Sequence, residues 1–225
     1  MNQLPIEAAR EMRLRLRDAH FTTFNTLNTI LTGGLVAYLL RRVLEMPQAQ
    51  RPWLLVLATL LTLIACWSGL FRMLALVRFP SRMSDALLSF GAGAAVYVMV
   101  SLLDAGPQVW LRAAAVVAFF GGLGTLNMLR GGRSDPFNDD VMPLIERDLR
   151  LAACARLAFV PLMLLLAHST LPDDLLNAAA VVGAALALVV DEIVWGRSVA
   201  LTSRPDVLAS EREALREAML LGERR

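Results

Sequence analysis

The chain has 225 residues, of which 56% are hydrophobic and 19% are charged, and its formal net charge is +2. A mean hydropathy of +0.55 lies well above that of soluble domains, and the small net charge gives no sign of a nucleic-acid partner. The sequence contains no HExxH, G-x-S-x-G or Walker A motif. Its two histidines, His20 and His168, are predicted at opposite membrane surfaces. We therefore expect a non-enzymatic protein that holds no metal and no cofactor.

Six mostly apolar stretches follow one another along the chain and predict an all-α integral membrane protein. A transmembrane helix requires roughly 20 apolar residues to cross the hydrocarbon core of a bilayer. Six transmembrane helices are therefore predicted within residues 21–196, at 21–40, 52–71, 84–103, 109–129, 151–168 and 175–196.

Polar segments flank these predicted spans. Residues 1–20 predict a short charged helix that leads directly into the first span, and residues 197–225 predict a cytoplasmic helical tail. The longest polar connection is 130–150, which we expect to be a loop. Its helix-breaking residues are Gly131, Gly132, Pro136 and Pro143.

The arginines orient the chain, because the cytoplasmic loops of membrane proteins are enriched in basic residues. All 22 basic residues are arginine. If the N-terminus is inside, the cytoplasmic segments contain 17 arginines and the outer loops contain 3. This bias predicts a protein of the inner (plasma) membrane with both termini in the cytoplasm. Trp53 and Trp110 then lie at the outer ends of their spans, the depth that amphipathic rings prefer.

The spans group in pairs. Short loops that contain Pro47, Pro107 or Pro172 join the two members of each pair, and an arginine-rich stretch follows each pair. This pattern indicates three helical hairpins. The arrangement resembles the small three-hairpin proteins of the HdeD type in bacterial inner membranes. The resemblance concerns architecture, and no function is carried over from it.

The first span carries a polar stripe about 160° wide at 100° per residue. It consists of Thr22, Asn25, Thr26, Asn28, Thr29 and Thr32, opposite an apolar face of Phe24, Leu27, Ile30 and Leu31. Polar groups in lipid require partners, so the stripe is expected to face the bundle, a neighbouring subunit or water. Interhelical hydrogen bonding and a polar pathway both explain it. The pathway candidates on this span are Asn25, Asn28, Thr29 and Thr32.

Three charged residues inside the last two spans are the second candidate site. Arg156 lies on the fifth span and Asp191 and Glu192 lie on the sixth, each about one and a half turns from the inner end. A lone charge at the centre of a membrane helix costs about 2.5–3.5 kcal/mol on insertion scales. We therefore predict that Arg156 pairs with one of the two carboxylates. The pair can be functional or structural, and both interpretations stay open here.

These features favour a polytopic membrane protein that forms a small solute or ion pathway, as an oligomer. The alternative is a structural or regulatory subunit of a larger membrane complex, in which the polar stripe is a contact surface. The expected partners are the lipid bilayer and either further copies of the chain or another membrane protein.

Overall fold

The computed structural model describes residues 6–77, 83–135, 138 and 142–202. Within these residues the protein is all-helical, with no strand, and its six α-helices are joined by short connections. A 3-10 turn, Gln48–Gln50, lies between the first two helices. The helices are α1 (Ile6–Glu45), α2 (Trp53–Leu76), α3 (Met83–Ser101), α4 (Pro107–Arg133), α5 (Met142–Ala167) and α6 (Asp173–Thr202).

Four of these helices are long and apolar enough to cross a membrane. Their apolar stretches are Trp53–Leu70, Pro107–Arg133, Ile145–Ala167 and Asp173–Val194, and they correspond to the second, fourth, fifth and sixth predicted spans. The apolar part of α3 is shorter, at Leu87–Ser101, and the threonines and asparagines of α1 lower the hydropathy of that helix. Among the described residues, the membrane class therefore rests on four helices.

The N-terminal helix and the first predicted span form one element. α1 runs without a break for 40 residues from Ile6 to Glu45, so the charged segment continues directly into the apolar one. At the other end, α6 continues to Thr202. The predicted tail helix beyond it lies outside the described residues.

The connection between α4 and α5 is shorter than the predicted loop at 130–150. α4 continues to Arg133 and α5 begins at Met142. Gly132 is a packing residue here, because a Cβ added to it would lie 2.6 Å from Val77 Cγ1 and 2.9 Å from Met142 Sδ. Pro143 occupies the first turn of α5, where the missing N–H has no helical partner to lose. Gly132 and Pro143 thus fall at helix ends, while Pro136 lies outside the described residues.

α4 is the central helix and contacts α2, α3, α5 and α6. The members of each predicted hairpin do contact one another, as short connections between antiparallel helices require. The most extensive contacts, however, join α4 to α5 and α2 to α6. The described bundle is therefore held mainly by contacts between hairpins, and its three hairpins are packed unequally.

Trp110 lies in the first turn of α4, at the predicted end of the span, but its ring faces the protein interior and not the membrane interface. Its side chain is 1% exposed and packs in the main apolar core with Leu55, Met99 and Leu176. The indole Nε1–H donates to the Thr59 hydroxyl at 2.9 Å, which gives the buried ring the partner that it requires. Trp53, in contrast, is 57% exposed, as expected for an interfacial ring.

Candidate functional site

A cavity of about 220 Å³ lies between the helices, and each of the six contributes side chains to its wall. An apolar protein cavity of about 150 Å³ is large enough to bind benzene, so this cavity can hold a small organic molecule. Most of the wall is aliphatic or aromatic. Prominent apolar lining residues are Leu31, Leu35, Val96, Val117, Phe159 and Met163.

A buried ion pair forms the polar part of the wall. Arg156 Nη2 donates to both carboxylate oxygens of Asp191, at 2.9 and 2.8 Å, and Asp191 is only 4% exposed. Arg156 Nη1 donates to the Thr125 hydroxyl at 2.6 Å. That hydroxyl in turn donates to the Gly121 carbonyl at 2.9 Å. The predicted pairing of Arg156 with a carboxylate on α6 is confirmed, and Asp191 is the partner.

One glycine makes room for the ion pair, and a second lies beside it. A Cβ added to Gly69 on α2 would lie 2.6 Å from Arg156 Nη2 and 3.2 Å from Asp191 Oδ2, so a larger residue would displace the guanidinium. A Cβ on Gly121 of α4 would lie 3.6 Å from Arg156 Cδ, which is an ordinary contact. The pair is therefore enclosed by α2, α4, α5 and α6 together.

Arg156 lies deeper in its helix than the sequence predicts. α5 begins at Met142, nine residues before the predicted start at 151, because the charged stretch before the span continues the helix. Arg156 is therefore about 21 Å from the start of α5 and about 16 Å from its end at Ala167. The nine added residues carry four charges, so they lengthen the helix without placing Arg156 deeper in its apolar stretch.

The polar stripe of α1 faces the cavity only along one edge. Asn28 and Thr32 line the cavity, together with Leu27 and Leu31 from the face that was predicted to be apolar. Thr29 is exposed on the outside of the bundle. The border between the polar and apolar faces of α1 therefore points to the cavity. The sequence does not reveal this rotation of the helix about its axis.

The seven predicted site residues fall into two groups. Four of them line one cavity: Asn28, Thr32, Arg156 and Asp191. The other three do not line it: Asn25 is half-buried, and Thr29 and Glu192 are exposed. Sequence reasoning missed Thr125 and Gly69, because a threonine or a glycine in an apolar helix carries no signal of its own.

One polar group in the cavity wall is unsatisfied. The Asn28 side-chain Nδ2 is buried and has no hydrogen-bond partner, which costs on the order of 1–3 kcal/mol for a buried donor. No group of three or more His, Cys, Asp or Glu side chains able to hold a metal ion is found among the described residues.

The arrangement defines a helical protein whose bundle lines a half-open, mostly apolar cavity with a buried ion pair in its wall. No protein-family model, curated protein or solved structure matches the chain. The cavity is therefore the feature that bears on function.

Proposed function

We propose that the protein is a non-enzymatic, polytopic membrane protein whose six helices all span the bilayer and whose cavity is part of a pathway for a small solute or ion. One observation carries the proposal: polar residues from α1, α4, α5 and α6 meet at a cavity within otherwise apolar helices. Intramembrane ionisable residues usually face a bundle interior or a water-filled space and mark substrate pathways. Asn28, Thr32, Arg156 and Asp191 have this position.

Both termini face the cytoplasm in this proposal, and the membrane is the bacterial inner membrane. The excess of arginine in the segments that would be inside supports the orientation. Single cysteines at Ser134 and Gln48, in a chain with Cys66 and Cys154 replaced by alanine, test it with an impermeant thiol reagent. Gln48 should react in intact cells and Ser134 only after lysis. Reaction of Ser134 from outside would contradict the topology.

Cysteine accessibility also tests the pathway. In the same background, cysteines at Asn28 and Thr32 should react with a small water-soluble methanethiosulfonate, because these positions line the cavity. A cysteine at Ile30, which is 66% exposed on the outside of α1, should face lipid and stay unreactive. Equal protection of all three positions would remove the pathway proposal.

A structural or regulatory subunit remains the second candidate, because part of the α1 stripe lies on the outer surface. Thr26 and Thr29 are exposed there, and polar groups in lipid favour a protein neighbour. That neighbour is a second copy if the protein forms an oligomer. Native mass spectrometry of the detergent-solubilised protein distinguishes the cases: copies of this chain support the oligomer, and a different co-purifying chain at fixed stoichiometry supports the subunit role. Thr29→Leu should weaken either assembly, with Thr32→Leu as the matched control.

A further inference from the structure

We propose that the cavity binds an uncharged, mostly apolar molecule that carries a carbonyl-type acceptor oxygen, such as a ketone, ester, amide or quinone. The proposal rests on the proposed function and narrows it: of the two alternatives for the pathway, a solute or an ion, it keeps the neutral solute and names its chemical class. Three properties of the wall lead to it: its surplus of hydrogen-bond donors, its neutral charge and its apolar lining.

The donor surplus is centred on Arg156. A guanidinium has five N–H donors and no acceptor. The described residues supply acceptors for only one Nη1–H, through Thr125, and for Nη2, through Asp191. Nε–H and the second Nη1–H are left for another acceptor. The Asn28 side chain lines the same cavity, and its amide nitrogen has no partner; that nitrogen is buried, so a rotation of the amide would bring it to the cavity as a further donor.

The charge of the wall excludes an ionic ligand. Arg156 and Asp191 neutralise each other at 2.8 Å, so a carboxylate ligand would add an uncompensated negative charge to a site of low dielectric. A cation would meet the guanidinium, while the carboxylate that it needs is already engaged. Burying an unpaired charge costs far more than burying a hydrogen-bonded neutral group.

The remaining wall selects for apolar bulk. Leu35, Val96, Val117, Phe159 and Met163 line the cavity, and they offer van der Waals contact without hydrogen bonds. A sugar or a small polar metabolite would leave most of its hydroxyls unpaired against these side chains. A neutral molecule with one acceptor end and an apolar body satisfies both parts of the wall.

Benzophenone is a suitable probe, because it is neutral and apolar, has one carbonyl and couples to nearby C–H groups when irradiated. Purified protein in lipid nanodiscs is titrated with benzophenone, and labelling of Met163 in the cavity is compared with labelling of Leu165, which is 71% exposed. As the benzophenone concentration rises, labelling should saturate at Met163 and increase linearly at Leu165. Diphenylmethane, which has the same two rings and no carbonyl, should compete about tenfold more weakly than unirradiated benzophenone.

Two variants connect this preference to the donors. Asn28→Leu removes the amide, and Arg156→Lys keeps the charge opposite Asp191 while removing Nε–H. Each should reduce the preference for benzophenone over diphenylmethane at least about threefold. Asn177→Leu is the matched control, because Asn177 also has an unpartnered buried amide atom but lies outside the cavity. It should leave the preference unchanged.

Two results would overturn the proposal. One is an equal affinity of the wild-type protein for benzophenone and diphenylmethane; the other is tighter binding of the anion 4-benzoylbenzoate than of benzophenone.

Nanodiscs of ester-linked and ether-linked phospholipid identify the source of a native ligand. Weaker benzophenone binding in the ester-linked lipid assigns the site to a lipid ester, and equal binding in the two lipids assigns it to a free molecule. If benzophenone binds saturably and a cysteine at Asn28 does not react with the methanethiosulfonate, the ligand class is kept and the aqueous pathway is removed. Reactive cysteines together with equal affinities for benzophenone and diphenylmethane keep the aqueous pathway and remove the ligand class.

Discussion

The contact between α4 and α5 and the contact between α1 and α3 show two ways of holding helices together. Between α4 and α5, Gly122 allows close approach, since a Cβ there would lie 2.6 Å from Leu157 Cγ and 3.5 Å from the Ala153 carbonyl oxygen. At the cytoplasmic end proposed for these helices, Glu146 forms ion pairs with Arg133 and Arg150. Small residues thus permit continuous backbone packing, which stabilises helix pairs in lipid.

The α1–α3 contact depends on a few side chains near one end. Tyr38 and Tyr97 stack with ring centroids 4.7 Å apart, and the Tyr38 and Ser101 hydroxyls share a hydrogen bond of 3.1 Å. Arg42 pairs at 3.1 Å with Asp104, in the connection that follows α3. Toward the cavity, a Cβ on Gly93 would reach only Leu31 Cδ1, at 4.0 Å. The comparison identifies α1 as the wall of the cavity with the weakest attachment, and local opening begins where packing is weakest.

The largest loss of stability is expected when the Arg156–Asp191 ion pair is broken. Asp191→Ala should lower the free energy of unfolding by about 3–5 kcal/mol, because it leaves the Arg156 guanidinium buried without a counter-charge. The double variant Arg156→Met with Asp191→Ala should be more stable than the single one. Sodium dodecyl sulfate titration in mixed micelles measures both. Losses that simply add in the double variant would show that the two residues are not coupled.

A matched glycine pair tests the packing of α4. Gly122→Ala forces a Cβ against Leu157, whereas Gly124 has no atom within 4 Å of the added Cβ. Both changes improve helix propensity equally, so their difference reports packing alone. Gly122→Ala should be less stable than Gly124→Ala by about 1–3 kcal/mol in the same titration. Equal stability of the two variants would mean that close approach of α4 and α5 is unimportant.

The smallest effect is expected in the α1–α3 contact. Asp104 is an exposed partner of Arg42, with a side chain that is 59% exposed. Asp104→Asn should therefore cost less than about 1 kcal/mol, as is usual for exposed ion pairs. Hydrogen exchange of the α1 amides should nevertheless accelerate, with α5 amides as the internal control. A loss as large as that of Asp191→Ala would reverse the ranking of the two contacts.

The sequence was sufficient for the helices and for one contact of the site. Arg156 and Asp191 could be paired because a short connection makes their helices antiparallel neighbours and because a lone charge in an apolar helix requires a partner. The rotation of α1 could not be predicted, since Asn28 and Leu31 lie only about 60° apart around the helix, at the border between its polar and apolar faces, and the sequence does not show that this border faces the cavity. Gly132 and Pro143 were misread as loop residues because a glycine or proline at a helix end has the same local signature as one in a loop.

The neutrality of the Arg156–Asp191 pair has a consequence for the response to membrane voltage. A potential of 100 mV does work of about 2.3 kcal/mol on each elementary charge that crosses the membrane. Two opposite charges held 2.8 Å apart move together, so the work done on one cancels the work done on the other. In the six-span arrangement that we propose, a translation that moves both members of the intact pair by the same distance carries no net gating charge from it.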